Sequence, residues 1–313
     1  MTTEIRQIGL VGTGLVGAAW AAFYAGKGLR VRLYDSDPAA AESGHAKAIE
    51  YLEFLRDHEL LSPDQFESAG PRIQVADDLA HALEGAQLVH ESVSERYDVK
   101  KAVFKEIEAM AWQEAIIASS TSGLLISEIQ KGLVHPERAL IAHPFNPVHL
   151  VPLVELVPGE LTRSGLAEEV KAFYESIGKI PIIVKKDIPG MVANRLQAAL
   201  WREAIDLVVS GVVTVEDVDK AVNAGPGMRW ALMGQHLIFH LGGGEGGMSY
   251  FIDHIGSLKR RLWRDMATWT ELPPETKDAL VAGLEEEMGS RTMEEVAAWR
   301  DEKLVGLLKL LDH

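Results

Sequence analysis

The chain has 313 residues, 47% of them hydrophobic and 25% charged, with no cysteine and a formal net charge of −15. This is the composition of a globular protein long enough for two domains and too apolar to stay disordered. The acidity works against binding nucleic acid or an anionic membrane, and the missing cysteines exclude disulfides, thiolate metal sites and cysteine nucleophiles.

The opening Met-Thr-Thr-Glu leaves no room for a basic, cleavable signal before the first apolar run, so a reducing cytoplasm is the expected location. Residues 8–26 carry no charge and are nearly long enough to suggest a membrane span. Glycines interrupt that run, and its first third reads instead as a strand, Ile5–Val11, ending in a turn. The turn is Gly12-Thr13-Gly14-Leu15-Val16-Gly17, and a helix over Leu15–Lys27 follows. In such a G-x-G-x-x-G, Gly12 permits the tight turn, Gly14 lets backbone approach a pyrophosphate, and Gly17 packs the helix onto the strand. The helix N-terminus then holds the phosphates through its free amides. The next strand, Arg30–Tyr34, runs into Asp35, where a carboxylate accepts from a ribose 2′-OH and repels a 2′-phosphate. NAD is therefore expected over NADP.

A helix over Pro38–Leu61 comes next, then strands at Gln87–Glu91, Ala115–Ser119, Ala139–His143, Val151–Val157 and Pro181–Val184. Strands alternating with helices imply a Rossmann-type, mostly parallel sheet covered on both faces. After Asp187 the pattern turns helical, starting with Met191–Ser210. This predicts a nucleotide-binding domain over 1–187 and an all-helical domain over 188–313. The acidic tail from Glu271 to Lys303 reads as solvated helix faces.

Two segments carry candidate chemistry. Ser119-Ser120-Thr121-Ser122-Gly123 follows a strand at the sheet's carboxyl edge, where its hydroxyls can cap a helix or bond a substrate oxygen. His143 ends an apolar strand, and the stiff Pro144-Phe145-Asn146-Pro147 fixes its position. Glu155 lies twelve residues on in a second apolar run, where an unpaired carboxylate is costly. A histidine oriented by a carboxylate is a natural proton acceptor, although from spacing alone a structural histidine and a satisfied buried glutamate fit equally well. His135, His143 and His149 match no metal-ligand spacing, so no metal site is expected.

GTGLVG, Asp35, ESVSE (91–95), SSTSG (119–123), HPFNP (143–147) and PGMVANRL (189–196) together resemble the L-3-hydroxyacyl-CoA dehydrogenase superfamily, in that order and over almost the whole chain. Within it, HPERALIAHPFNPVHLVPLVELV, LWREA and GMRWALMG resemble a short branch acting on free acids, which includes lambda-crystallin (L-gulonate 3-dehydrogenase) and the L-carnitine dehydrogenases. The resemblance implies His143 as general base, Glu155 as its orienting partner, and Ser122 and Asn194 as hydrogen-bond partners of the substrate oxygen. Asn146 lines the same loop, and Glu95 and Lys100 match positions near the nicotinamide ribose. A homodimer through the helical domain is also implied.

The segment Ser36–Arg72 has eight acidic and three basic residues, where CoA-using relatives carry lysines, so a free 3-hydroxy acid is expected over a CoA thioester. Arg229 is the candidate for its carboxylate. GGGEGGM (242–248) and the C-terminal tail resemble the carnitine enzymes, and Trp201, Trp230, Phe239, Tyr250 and Phe251 are candidates to cage a quaternary ammonium or to be core. The alternatives are L-gulonate, an acyl-CoA substrate, or a catalytically silent crystallin-like protein. A lysine-dependent hydroxyacid dehydrogenase ranks low, because Met191–Ser210 contains no lysine.

Overall fold

The computed structural model describes residues 4–312, which form two compact units. The first runs to Asn194 and also takes in the stretch from Lys303; the second is Arg195–Glu302.

The first unit is built on an eight-stranded sheet: β1 (Gln7–Val11), β2 (Arg30–Tyr34), β3 (Ile73–Val75), β4 (Leu88–Glu91), β5 (Ile116–Ser119), β6 (Ala139–Pro144), β7 (Leu153–Pro158) and β8 (Ile180–Ile183). Its spatial order is β3-β2-β1-β4-β5-β6-β7-β8. The strands from β3 across to β6 are parallel to one another. β7 runs antiparallel to β6, and β8 is parallel to β7. Every residue of β1, β4 and β5 is buried, as expected for central strands covered on both faces.

Helices α1 (Leu15–Gly26), α2 (Pro38–Asp57), α3 (Pro63–Ala69), α4 (Leu79–Leu83), α5 (Tyr97–Met110), α6 (Ile126–Ile129) and α7 (Leu166–Ser176) connect the strands. α1 is buried from Gly17 to Gly26, including Trp20, Phe23 and Tyr24. A helix apolar all round is a helix packed all round, which accounts for the membrane-like run in the sequence. No helix among the described residues is long and apolar enough to cross a membrane.

The helix expected over Pro38–Leu61 ends earlier, as α2 at Asp57, and a separate short helix, α3, follows beyond Leu61. Asp37 caps α2 by accepting from the Ala39 amide, Glu59 adopts a positive φ of 61°, and Ser62 with Gln65 forms a capping box that starts α3. β3 has three residues, too few to leave a periodic signal, and the sequence did not reveal it. Val305, on the returning C-terminal stretch, is buried in the first unit's core, and Lys309 there pairs with Glu59 at 2.8 Å.

α8 (Ala193–Val209) starts in the first unit and continues into the second. The second unit adds α9 (Val215–Val222), α10 (Met228–Trp230), α11 (Gln235–Gly242), α12 (Gly247–Asp265), α13 (Thr276–Met288) and most of α14 (Met293–Leu310). It carries many exposed apolar side chains, among them Leu200, Trp201, Leu258, Leu262 and Trp263.

Candidate active site

The order β3-β2-β1-β4 reverses direction between β1 and β4, and at such a switch point the crevice beyond the strands' carboxyl ends is where α/β proteins bind ligands. Gly12, directly after β1, has φ +93°, and its amide donates to the Tyr34 carbonyl at 2.8 Å. A Cβ on Gly17 would stand 2.0 Å from the Gly12 carbonyl oxygen, so only glycine lets α1 begin this close to the strand. A Cβ on Gly14 would meet nothing within 4 Å, and no side chain caps α1. The turn thus presents open backbone and uncapped amides, which fits a pyrophosphate. Asp35 stands at the end of β2. Its Oδ2 accepts from the Thr13 amide (2.9 Å) and lies 3.1 Å from the Thr13 hydroxyl, which ties the carboxylate to the phosphate turn.

His143 and Glu155 are register partners across the antiparallel β6–β7 ladder. Opposed side chains on neighbouring strands meet, and His143 Nδ1 lies 3.0 Å from Glu155 Oε2, both residues buried. Glu155 Oε1 accepts from the amides of Val192 (2.9 Å) and Ala193 (3.0 Å), the latter the first residue of α8. Burial pushes the Glu155 pKa up, but His143 and the two amides outweigh it and hold the carboxyl below its ordinary value. His143 Nε2 has no protein hydrogen-bond partner among the described residues, and the Phe145 ring stands edge-on to the imidazole at 4.8 Å.

The same start of α8 brings in two more expected residues. Asn194 Nδ2 donates to the Ser122 carbonyl at 3.1 Å. Glu95 Oε1 accepts from the Ser122 amide (2.9 Å), the Gly123 amide (2.9 Å) and the Thr121 hydroxyl (2.6 Å). Burial raises the Glu95 pKa, yet the Thr121 hydroxyl, the Lys100 charge and the two amides together hold it below the usual value. Asn146 is exposed on the loop after His143.

Lys100 is placed differently from a side chain that reaches a ligand. It is buried, and its Nζ donates to Glu91 Oε1 (2.7 Å) and the Val93 carbonyl (3.1 Å), with Glu95 at 3.6 Å. Glu91 is fully buried too, and its other oxygen accepts from the Ser119 hydroxyl at 2.6 Å. Sequence reasoning missed this Glu91–Lys100 pair. The signal was an acid ending an apolar strand with a lysine nine residues on. It also missed a core relay in which Tyr174, Tyr24, His90, Ser120 and Ser92 are linked hydroxyl to ring to hydroxyl, at 2.8–2.9 Å. Burial pulls the His90 pKa down to about 3, so the ring is neutral and serves as a fixed strut beneath the 119–123 segment.

Arg229 lies in the second unit, exposed on α10. There Phe239 and Phe251 stack on each other at 4.5 Å, with the Lys259 ammonium over Phe239. Tyr250 stacks on His254, and Trp230 donates its indole N–H to Gln235. Among the described residues no ring contact joins these aromatics and Trp201 into one box.

Residues 7–188 match the NAD binding domain, and residues 190–282 the C-terminal domain, of 3-hydroxyacyl-CoA dehydrogenase. The chain is 39% identical to a protein of Oceanobacillus iheyensis named L-carnitine dehydrogenase, over 98% of this chain and 99% of that one. A relative of the same name from Nocardiopsis dassonvillei is 38% identical over 99% of this chain and 92% of that protein. Among solved structures, an NAD+ dependent dismutase, 5-formyl-3-hydroxy-2-methylpyridine 4-carboxylic acid 5-dehydrogenase, superposes with a TM-score of 0.85 at 32% identity, covering 99% of both chains. The chain belongs to the 3-hydroxyacyl-CoA dehydrogenase family and is an NAD-dependent oxidoreductase.

Proposed function

We propose that this member of the family oxidises the 3-hydroxyl of a small free L-3-hydroxy acid, L-carnitine or a close analogue, to the 3-keto acid. The observation that carries the reading is the buried His143–Glu155 pair, with Nδ1 engaged and Nε2 free for a substrate. Glu155 fixes the tautomer with the proton on Nδ1, so Nε2 is the basic atom. Nε2 takes the hydroxyl proton while the carbon-bound hydride leaves, and the Glu155 carboxylate stabilises the imidazolium that forms. Ser122 and Asn194 hold the substrate oxygen, and the Glu95 cradle keeps the Ser122 loop in place. In the reducing direction protonated His143 returns the proton. Gly12, Gly14, Gly17 and Asp35 hold the cofactor, whose nicotinamide supplies the hydride acceptor when bound.

Two observations favour a free acid. The relatives named above are carnitine dehydrogenases. In the acidic stretch 36–72, Lys47 and Arg56 are already paired with Glu50 and Asp57, at 2.7 Å each, which leaves little positive charge for a phosphorylated adenosine. Arg229 is the proposed partner of the substrate carboxylate. The exposed apolar side chains of the second unit support a homodimer, which sedimentation velocity tests directly. The deciding experiment follows absorbance at 340 nm with NAD and L-carnitine, L-gulonate, L-3-hydroxybutyrate or a 3-hydroxyacyl-CoA. Carnitine turnover that is lost in His143→Ala is the expected result. Turnover of none, with NADH still bound, points to a silent protein, and activity within a few-fold in the variant places the base elsewhere.

A further inference from the structure

The loop between β6 and β7 joins the strand that carries His143 to the strand that carries Glu155, so its position bears on where the pair stands. It is folded on itself, the amides of Leu150 and Val151 donating to the Pro147 carbonyl at 3.0 and 2.9 Å. Two further carbonyls of this loop point at one cation. Lys179, just before β8, is buried, and its Nζ donates to Val148 at 2.5 Å and Val151 at 2.8 Å. The same nitrogen lies over the rings of Phe23 and Trp20, 4.2 and 5.2 Å from their centroids. Both rings belong to α1, the helix whose first turn is the phosphate turn. One side chain therefore grips the loop of the candidate dyad and the helix of the cofactor site.

A buried ammonium is costly unless its donors are engaged. The neighbouring cavity, lined by Phe23, Lys27, Leu55, His149, Leu150 and Leu308 among others, holds no carboxylate to pair with it. Two carbonyls and two ring faces hold the group instead. Burying a lysine to grip this loop has a use if the loop must be held still.

We propose that Lys179 is a positioning residue for the dehydrogenase reaction, a brace that fixes the His143–Glu155 loop against the cofactor helix. The proposal rests on the reading of that pair as the proton acceptor. Burial, with Lys27 adding a like charge, draws the Lys179 pKa down to about 7. The N–H donors persist on either side of that value, so the brace works through hydrogen bonds as well as charge.

The test compares K179M, which keeps the stem and removes the donors, with K179Q, which keeps a neutral pair of donors. In K179M kcat is expected to fall tenfold or more, since small misplacements of reacting groups cost about that much or more. KM for NAD and the NADH dissociation constant should stay within twofold, and hydrogen exchange at the Leu150 and Val151 amides should accelerate. K179Q should recover kcat to within about threefold of wild type. A K179M enzyme that melts earlier yet keeps kcat within twofold overturns the brace and leaves Lys179 a packing residue. Equal loss in K179M and K179Q overturns it as well. Should K179M not fold, F23L removes one ring from beneath the nitrogen while leaving both hydrogen bonds. It is expected to lower kcat about threefold, and an unchanged kcat then refutes the proposal. H143A is measured alongside: if it is active the dyad reading fails, and if it is dead while K179M is normal only the brace fails.

Discussion

Replacing Glu155 with glutamine changes one atom of a buried side chain, and the structure dictates how that atom is placed. Oε1 accepts two backbone amides, from Val192 and Ala193, at 2.9 and 3.0 Å. A glutamine must keep its carbonyl oxygen there, because an NH2 group would face two donors. Its NH2 then occupies the position of Oε2, 3.0 Å from His143 Nδ1. Two donors cannot share that contact, so the imidazole moves its proton to Nε2 and accepts at Nδ1. Nε2, the atom proposed to meet the substrate, is now a donor and cannot take a proton. A wrong-tautomer change of this kind in a Ser-His-Asp triad costs about 10⁴-fold in kcat. Allowing for repair by water, about 10³-fold, or about 4 kcal/mol, is expected here. Steady-state rates at 340 nm give kcat and KM, and fluorescence quenching of bound NADH confirms that the cofactor site is intact. E155Q activity within tenfold of wild type would refute the tautomer argument and with it the role of Glu155.

Because the folded-state pKa values of Glu155 and Glu95 are depressed, each stabilises the fold above its unfolded value near 4.5. That contribution is lost as pH falls below about 4.5 through the folded values, so thermal melts should lose more between pH 5 and 3 in wild type than in E155Q. Asp35→Ala should weaken NAD and admit NADP, and an unchanged cofactor preference in initial rates would show that Asp35 faces away from the ribose. Gly14→Ala, whose Cβ meets nothing within 4 Å, should fold normally but bind NADH poorly. Gly17→Ala, with its Cβ 2.0 Å from the Gly12 oxygen, should fold poorly, and calorimetry separates the two. Lys100→Met leaves Glu91 buried without its cation and should destabilise the protein by about 3–5 kcal/mol, read by denaturant titration.

The glycine turn after β1 was legible because its geometry is local. Gly12, Gly14 and Gly17 act through backbone shape within six residues, and Asp35 follows at the end of the next strand, so one window of sequence holds the whole device. The positions of most strands and helices were legible for the same reason, since periodicity and capping act over a turn or two, but the end of α2 at Asp57 was not. His143 and Glu155 could be named but not joined by spacing alone. Twelve residues apart, they could equally have been a structural histidine and an unrelated buried acid. Their pairing exists because β7 turns back antiparallel on β6 and sets them in register, a non-local fact that no local pattern encodes.

The same holds for the second unit. Composition offers five aromatic residues for a cage, and the fold spends Phe239 on Phe251 and Tyr250 on His254. By itself the sequence determined the class of ligand turn, the alternation that forces a largely parallel sheet, and the candidate acids and bases. The tertiary structure alone decided which of them meet. It joined Glu155 to the start of α8, sank Lys100 onto Glu91, and brought Lys179 under the loop between the two dyad strands. Glu155 and Lys179 are buried polar groups satisfied by partners far along the chain, and Lys100 by an acid nine residues back that the turn into α5 brings to it. Burying a charge is costly, so the fold has to bring a partner to it, and the chain order does not say which one.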